Sequence, residues 1–253
     1  MTTPRTVPVL GATGGIGGEV AAALIQRGWV VRGLHRDPAE AARRTPWLDG
    51  MDWIAGDALR PADILAAGGG ATLIVHAVNP PGYRRWGETV LPMLDGSIAA
   101  ARATGARILL PGTIYNYGPD AFPILREDSP QHPQTPKGRI RAAMERRLRA
   151  AADEHGVPSI VVRAGDFFGP RPGNNWFSGA MVTPGRPLRA VTYPGRPGIG
   201  HGWAYLPDLA ETMARLTETQ HAPGFQTYHF AGHWDPDGTA MLAAIRRAAG
   251  LPT

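Results

Sequence analysis

The chain contains no cysteine. That absence excludes disulfide staples, thiolate nucleophiles, zinc-thiolate sites and iron-sulfur clusters. Missing too is a cationic leader followed by a long apolar stretch; the amino terminus enters a short apolar strand and a glycine turn almost at once, unlike a signal peptide. The apolar run from Thr72 to Val78, interrupted by His76, is far too short to span a bilayer. A cytoplasmic protein without a membrane partner is the expectation.

Nor is there a strong excess of one charge. The formal net charge is +5, and much of it sits in Lys137, Arg139, Arg141, Arg146, Arg147 and Arg149, with Glu145 among them. No aromatic residues are interleaved there to stack bases, so the cluster reads as a solvated helix face partly turned toward an anionic ligand. No nucleic-acid partner is expected. A helix carrying two metal-ligating histidines on one face is lacking as well: His229, His233, Asp235 and Asp237 fall on a strand and a loop, and no metal site is expected.

What is present is an alternation. The 253 residues are 43% hydrophobic, with Gly 33 and Pro 25 lying between apolar runs. Strands are expected at Val7 to Leu10, Trp29 to Leu34, Thr72 to Val78, Arg107 to Pro111 and Ser159 to Arg163. Helical periods follow the first glycine turn and recur at Val90 to Ala103 and Lys137 to Ala152. This order implies an α/β fold of the Rossmann type, a doubly wound parallel sheet covered on both faces, with a small C-terminal substrate lobe. Residues 1–164 are assigned to a dinucleotide-binding domain and 165–253 to substrate-side loops and a lobe, with 201–220 returning to the core. Pro8 conflicts with a central strand because it has no amide to donate. Asp208 with Glu211 three residues later reads as a capping box that opens a helix.

After the first strand the sequence reads Gly11-Ala12-Thr13-Gly14-Gly15-Ile16-Gly17. Glycine at a strand end lets the backbone approach a diphosphate, and the following helix aims free amides and a positive dipole end at it. A dinucleotide is therefore the expected ligand, held by Gly11, Thr13, Gly14, Gly15, Ile16 and Gly17. The end of the second strand reads Arg32-Gly33-Leu34-His35-Arg36, without a carboxylate before Asp37. Arg32, His35 and Arg36 suit a ribose 2′-phosphate better than a bare hydroxyl, so NADP is favoured over NAD.

Further motifs carry a family resemblance. Besides the glycine turn they are Gly56-Asp57-Ala58-Leu59-Arg60-Pro61, His76-Ala77-Val78-Asn79, Pro111 to Gly118, Arg163 to Pro170 and Trp203 to Ala210. In this order the chain resembles the extended and atypical branches of the short-chain dehydrogenase/reductase superfamily, the group with sugar-nucleotide epimerases and dehydratases. The resemblance implies that Asp57 and Ala58 pass the adenine, Ala77, Val78 and Asn79 the ribose, and Ala164 and Phe167 the nicotinamide. It places Thr113 at the catalytic hydroxyl.

The family's Tyr-x-x-x-Lys pair is not here: Lys137 stands where the tyrosine belongs and Arg141 where the lysine belongs. Thr135 reads as a helix cap and Pro136 as the first helical residue, which puts Lys137 in the first turn, on one face with Arg141. Lys137 is thus a candidate acid/base and cofactor ligand, and Tyr117 or Tyr115 a candidate replacement phenol. The expected activity is NAD(P)-dependent hydride transfer with a small carbonyl or alcohol substrate. A non-catalytic NADP sensor and a sugar-nucleotide epimerase or dehydratase are the alternatives. Tyr83-Arg84-Arg85-Trp86 reads either as a substrate contact or as cover for the sheet edge. A homodimer stays open. The resemblance also implies a substrate lobe continuing past Thr253, which a longer chain or a partner would supply.

Overall fold

The computed structural model describes residues 5–80, 85–171, 173, 175–193, 195–196, 198–219 and 223–251. Strands β1 (Thr6–Leu10), β2 (Val30–His35), β3 (Asp52–Ala55), β4 (Leu73–His76), β5 (Arg107–Thr113), β6 (Ser159–Ala164) and β9 (Phe225–His229) form one seven-stranded sheet in the order β3-β2-β1-β4-β5-β6-β9. Every neighbouring pair is parallel. Apolar residues alternate between its faces: Val7, Val9, Val31 and Val75 pack beneath one set of helices, Leu10, Leu34, Ile74 and Ile108 beneath the other. Both faces are buried, as a doubly wound parallel sheet requires.

Helices α1 (Gly15–Gln26) and α6 (Leu206–Thr219) cover the first face, and α3 (Pro61–Ala67), α4 (Trp86–Thr104) and α5 (Pro136–His155) the second. Their ends follow local chemistry. Gly28 leaves α1 with φ +77, and Gly105 and Gly156 stop α4 and α5 in the left-handed conformation that glycine adopts without strain. Thr135 caps α5 by accepting the amide of Gly138 at 3.0 Å, with Pro136 next, as its sequence predicts. A further short helix, α2 (Pro38–Arg44), is capped by Asp37.

Pro8 is accommodated by an interrupted ladder. Thr6, Pro8 and Leu10 face β4, since Thr6 O accepts from Thr72 and Leu10 O from Ala77. Between the lone Thr6–Ala71 bridge and the pairing that resumes at Val9–Val75, no amide from Pro8 is called for.

A second, three-stranded sheet, β10-β8-β7, is built from β7 (Asp166–Phe168), β8 (His201–Tyr205) and β10 (His233–Asp235). It carries its own cluster of Met181, Trp203 and Ile245, the last from α7 (Thr239–Ala248). Residues 201–219 therefore divide: β8 belongs to the small sheet, while α6 packs on α1. β9 lies within the segment assigned to the substrate side and yet joins the main sheet beside β6.

The capping box at Asp208 is corrected. The helix starts two residues earlier at Leu206, so Asp208 lies in its first turn, and Glu211 pairs with Arg27 and Arg215 instead of folding back. Among the described residues no helix is long and apolar enough to cross a membrane.

Candidate active site

At the carboxyl ends of β1 and β4 the strand order reverses, and crevices at such switch points are where open α/β sheets take ligands. A cleft of about 710 Å³ opens there. Its floor is the turn between β1 and α1. Gly11 has φ +89, and a Cβ on it would fall 2.6 Å from the carbonyl oxygen of Ala77; a Cβ on Gly17 would fall 2.3 Å from that of Gly11. Strand, turn and helix approach more closely than any side chain allows. Gly14 caps α1 without a side-chain hydrogen bond, and the first turn carries no acidic residue. The amides at this end are left facing the cleft without a competing anion, the arrangement that suits a diphosphate.

Of the residues expected to hold a dinucleotide, Gly11, Thr13, Gly14, Gly15, Ile16, Gly17, His35, Arg36, Asp57, Ala58, Ala77, Val78, Asn79, Ala164 and Phe167 all line this cleft, as does Thr113. Arg32 does not. It lies one strand period before Leu34 and its guanidinium donates to the carbonyls of Ala67 and Gly69, at 3.2 and 2.8 Å, at the end of α3. Its place beside Arg36 is taken by Arg44, which α2 brings to the cleft and which the sequence reading passed over. Asp37, the first carboxylate after β2, is engaged by the amide of Glu40.

Lys137 and Tyr117 also stand apart. Lys137 is exposed in the first turn of α5 and is not among the lining residues, whereas Arg141, one turn on, is half-buried and lines the cleft. The guanidinium of Arg141 lies over the ring of Trp86, 5.3 Å from its centroid, and the Trp86 indole donates to Asn79. Of Tyr83-Arg84-Arg85-Trp86, the first two lie outside the described residues; Arg85 pairs with Glu88.

Tyr117 is buried behind the site. Its hydroxyl donates to the carbonyl of Arg126 at 3.0 Å, lies 2.7 Å from Nε2 of His229 and accepts from Arg163. Burial pushes this phenol up to about 12, with the nearby Glu145 carboxylate adding and Arg163 opposing. Arg163, 2% exposed, is in turn held by Glu145 from α5. His229 is consumed by this network, and Asp235 accepts the amides of Gly238 and Met241 at the start of α7. Among the described residues no group of His, Asp and Glu is arranged to hold a metal ion.

The phenol that does line the cleft is Tyr115. A 3-10 turn, Ile114–Asn116, follows β5, and the Tyr115 amide donates to Thr113 Oγ at 2.8 Å. The Tyr115 hydroxyl donates to Asp166, another lining residue. His76 also faces the cleft. Burial, aided by the positive charge of Arg141, pulls its imidazole down to about 3; Nδ1 meets Ser97 Oγ at 2.8 Å, and Nε2 is buried without a partner. Over the glycine turn lies the segment after β7: Arg171 makes a paired hydrogen bond with Glu19 of α1, and its guanidinium stacks 4.0 Å from the Trp47 ring centroid.

Comparison with known proteins agrees with this architecture. The profile of the NAD dependent epimerase/dehydratase family matches residues 7–228. A 3-diazoavenalumate denitrifying reductase from a Streptomyces species is 33% identical over 186 residues, which is 66% of this chain and 58% of that protein. The alignment thus spans less than two thirds of the curated relative.

Among solved structures, UDP-glucuronic acid 4-epimerase from Bacillus cereus, in complex with UDP-glucuronic acid and NAD, superposes with a TM-score of 0.83 at 17% identity, covering 98% of this chain and 84% of that one. A dTDP-glucose 4,6-dehydratase from Streptomyces venezuelae, with NAD bound, gives 0.78 at 16% identity over 98% and 82% of the two chains. WbmH of Bordetella bronchiseptica, in complex with NAD+, gives 0.73 at 19% identity over 99% and 83%. At these identities the likeness is one of fold.

Proposed function

The chain belongs to the NAD dependent epimerase/dehydratase family, and on that basis we propose that it is an oxidoreductase binding NADP in preference to NAD and exchanging hydride with a small carbonyl or alcohol substrate. One observation carries the reading: at Gly11 and Gly17 the first strand, the turn and α1 close on one another and on β4 more tightly than a methyl group on either would permit, the tight turn that presents the amino end of α1 to the cleft. A bound nicotinamide nucleotide supplies the hydride. The glycine turn and the amino end of α1 hold its diphosphate, and Arg36 and Arg44, lining the cleft beyond the end of β2, meet a 2′-phosphate. Arg141, standing where the family's lysine falls, steadies the ribose.

Thr113 keeps its hydroxyl hydrogen while its oxygen accepts the Tyr115 amide. It is therefore free to donate to a reacting oxygen. Phe167 and Trp176 add apolar surface to the lining of the cleft. In this reading residues 1–164 hold the nucleotide and the small sheet with its loops faces the substrate, while α6 and β9 return to the core. Lys137, exposed and outside the lining, does not carry the proton.

A second reading, a protein that binds NADP and reports it to a partner, draws on the absent Tyr-x-x-x-Lys pair. Two measurements decide. Calorimetry with NADPH and NADH tests binding and preference; absorbance of NADPH against a panel of aromatic aldehydes, ketones and enones tests transfer. Tight NADPH binding with oxidation by panel members is expected. Binding without oxidation by any of them favours the sensor, and no binding of either nucleotide refutes both.

A further inference from the structure

Tyr115, Asp166 and His201 form a chain of polar contacts that begins in the cleft and ends in the small sheet. The Tyr115 hydroxyl donates to Asp166 Oδ1 at 2.7 Å. The second carboxylate oxygen lies 2.9 Å from Nε2 of His201, with the two side chains 17% and 29% exposed. Three separate elements supply them: the turn after β5, the start of β7 and the start of β8. The imidazole is braced against Trp203, ring centroids 4.4 Å apart. Because the Tyr115 amide is tied to Thr113 Oγ, the phenol and the threonine hydroxyl are held on one turn, and Thr113, Tyr115 and Asp166 share the lining of the cleft.

The geometry points to Tyr115 as the residue that exchanges a proton with the substrate oxygen, with Asp166 receiving the proton and His201 positioning Asp166. This rests on the hydride-transfer reading above. In alcohol oxidation the carbinol C–H bond breaks, its hydride going to the oxidised nicotinamide nucleotide. The hydroxyl proton passes to Tyr115 Oη while the phenol's own proton passes to Asp166 Oδ1. The products are the carbonyl compound, the reduced nucleotide, a neutral Tyr115 and a protonated Asp166, which gives its proton to water. Reduction runs the same steps backwards. Because the two protons shift together, no phenolate forms beside the carboxylate, where like charges would repel.

The phenol missing from α5 is in this way supplied from β5. Tyr117, two residues further on, is buried against Arg163 and has no access to the cleft lining. Asp166 joins the two sheets through these contacts, so the substrate lobe and the proton-exchanging group are set by one carboxylate.

The test is made on the full chain with the carbonyl panel. Tyr115→Phe is expected to lower kcat by about a hundredfold or more, the usual worth of a general acid, with NADPH affinity unchanged. Asp166→Asn lowers kcat similarly, and His201→Gln lowers it less. Protein isotope-labelled at tyrosine Cζ gives a readout independent of turnover: Asp166→Asn and His201→Gln both shift the NMR signal that Tyr115→Phe deletes. Retention of kcat in Tyr115→Phe, a loss that follows Lys137→Ala instead, or a Tyr115 signal indifferent to Asp166→Asn overturns the assignment while leaving hydride transfer intact. Failure of the wild-type chain to oxidise NADPH with any panel member overturns both.

Discussion

Oδ1 of Asp37 accepts the amide of Glu40 at 2.9 Å, so the first carboxylate after β2 is committed to capping α2. An acidic group at this strand end is what ordinarily receives the ribose hydroxyls of NAD. Here the side chains that line the cleft nearby are His35, Arg36 and Arg44. Arg36→Ala or Arg44→Ala should weaken NADPH binding by about tenfold to a hundredfold, the range of a charge-assisted hydrogen bond, and leave NADH binding nearly unchanged. Calorimetric titration of both nucleotides checks this; equal losses for the two would deny a 2′-phosphate contact.

Gly17→Ala tests the cradle. In an ordinary helix this change is stabilising by up to ~1 kcal/mol, but the new methyl would lie 2.3 Å from the Gly11 carbonyl oxygen. The expected result is a loss of at least about tenfold in NADPH affinity, with the circular dichroism of the sheet and helices preserved. Unaltered affinity would show that the turn does not hold the nucleotide.

Glu145 and Arg163 meet through two hydrogen bonds, Nε to Oε1 at 2.9 Å and Nη2 to Oε2 at 2.7 Å, with both side chains buried. Asn116 and Gln131 complete the carboxylate's partners. Removing one member strands the other, so Arg163→Ala should lose about 3–5 kcal/mol in urea unfolding. Tyr117→Phe removes one neutral partner and should lose only about 1–2 kcal/mol. If Arg163→Ala unfolds at the wild-type urea concentration, the ion pair does not tie α5 to β6.

His76 gives a pH signature. Its folded-state value is pulled from 6.5 down to about 3 by burial and by Arg141. Between those values the unfolded chain binds a proton there and the folded chain does not, so stability falls as the medium is acidified, by about 1.4 kcal/mol per pH unit from this group. His76→Gln should remove that slope from the difference between wild-type and variant unfolding free energies across this window. A difference that does not vary with pH would contradict the neutral, buried imidazole.

The parts of the site that could be read from the sequence are those written in local chemistry. The glycine turn, the strands around it and the cap at Thr135 depend on steric freedom, apolar run length and one side-chain acceptor, all visible within a few residues. The errors arise where a longer-range fact decides. Arg32 and Arg36 look equivalent along the strand, yet pairing of β2 turns Arg32 toward the end of α3, and Arg44 arrives on a helix too short to show a period. Tyr115 and Tyr117 would share a face on a strand; the 3-10 turn that holds Tyr115 and ends at Tyr117 sends one into the cleft and the other into the Arg163 network. Asp166 gives no local sign at all, because its partners come from β8 and from the turn after β5.

The placement of β9 bears on how the chain tolerates shortening. β6 is buried along its whole length and has β5 on one side and β9 on the other. A protease cut or stop codon between α6 and β9 would bare a flat apolar strand edge, an invitation to pair with the same edge of another molecule. Fragments ending near residue 219 should therefore accumulate as aggregates although every residue of the glycine turn is still in them.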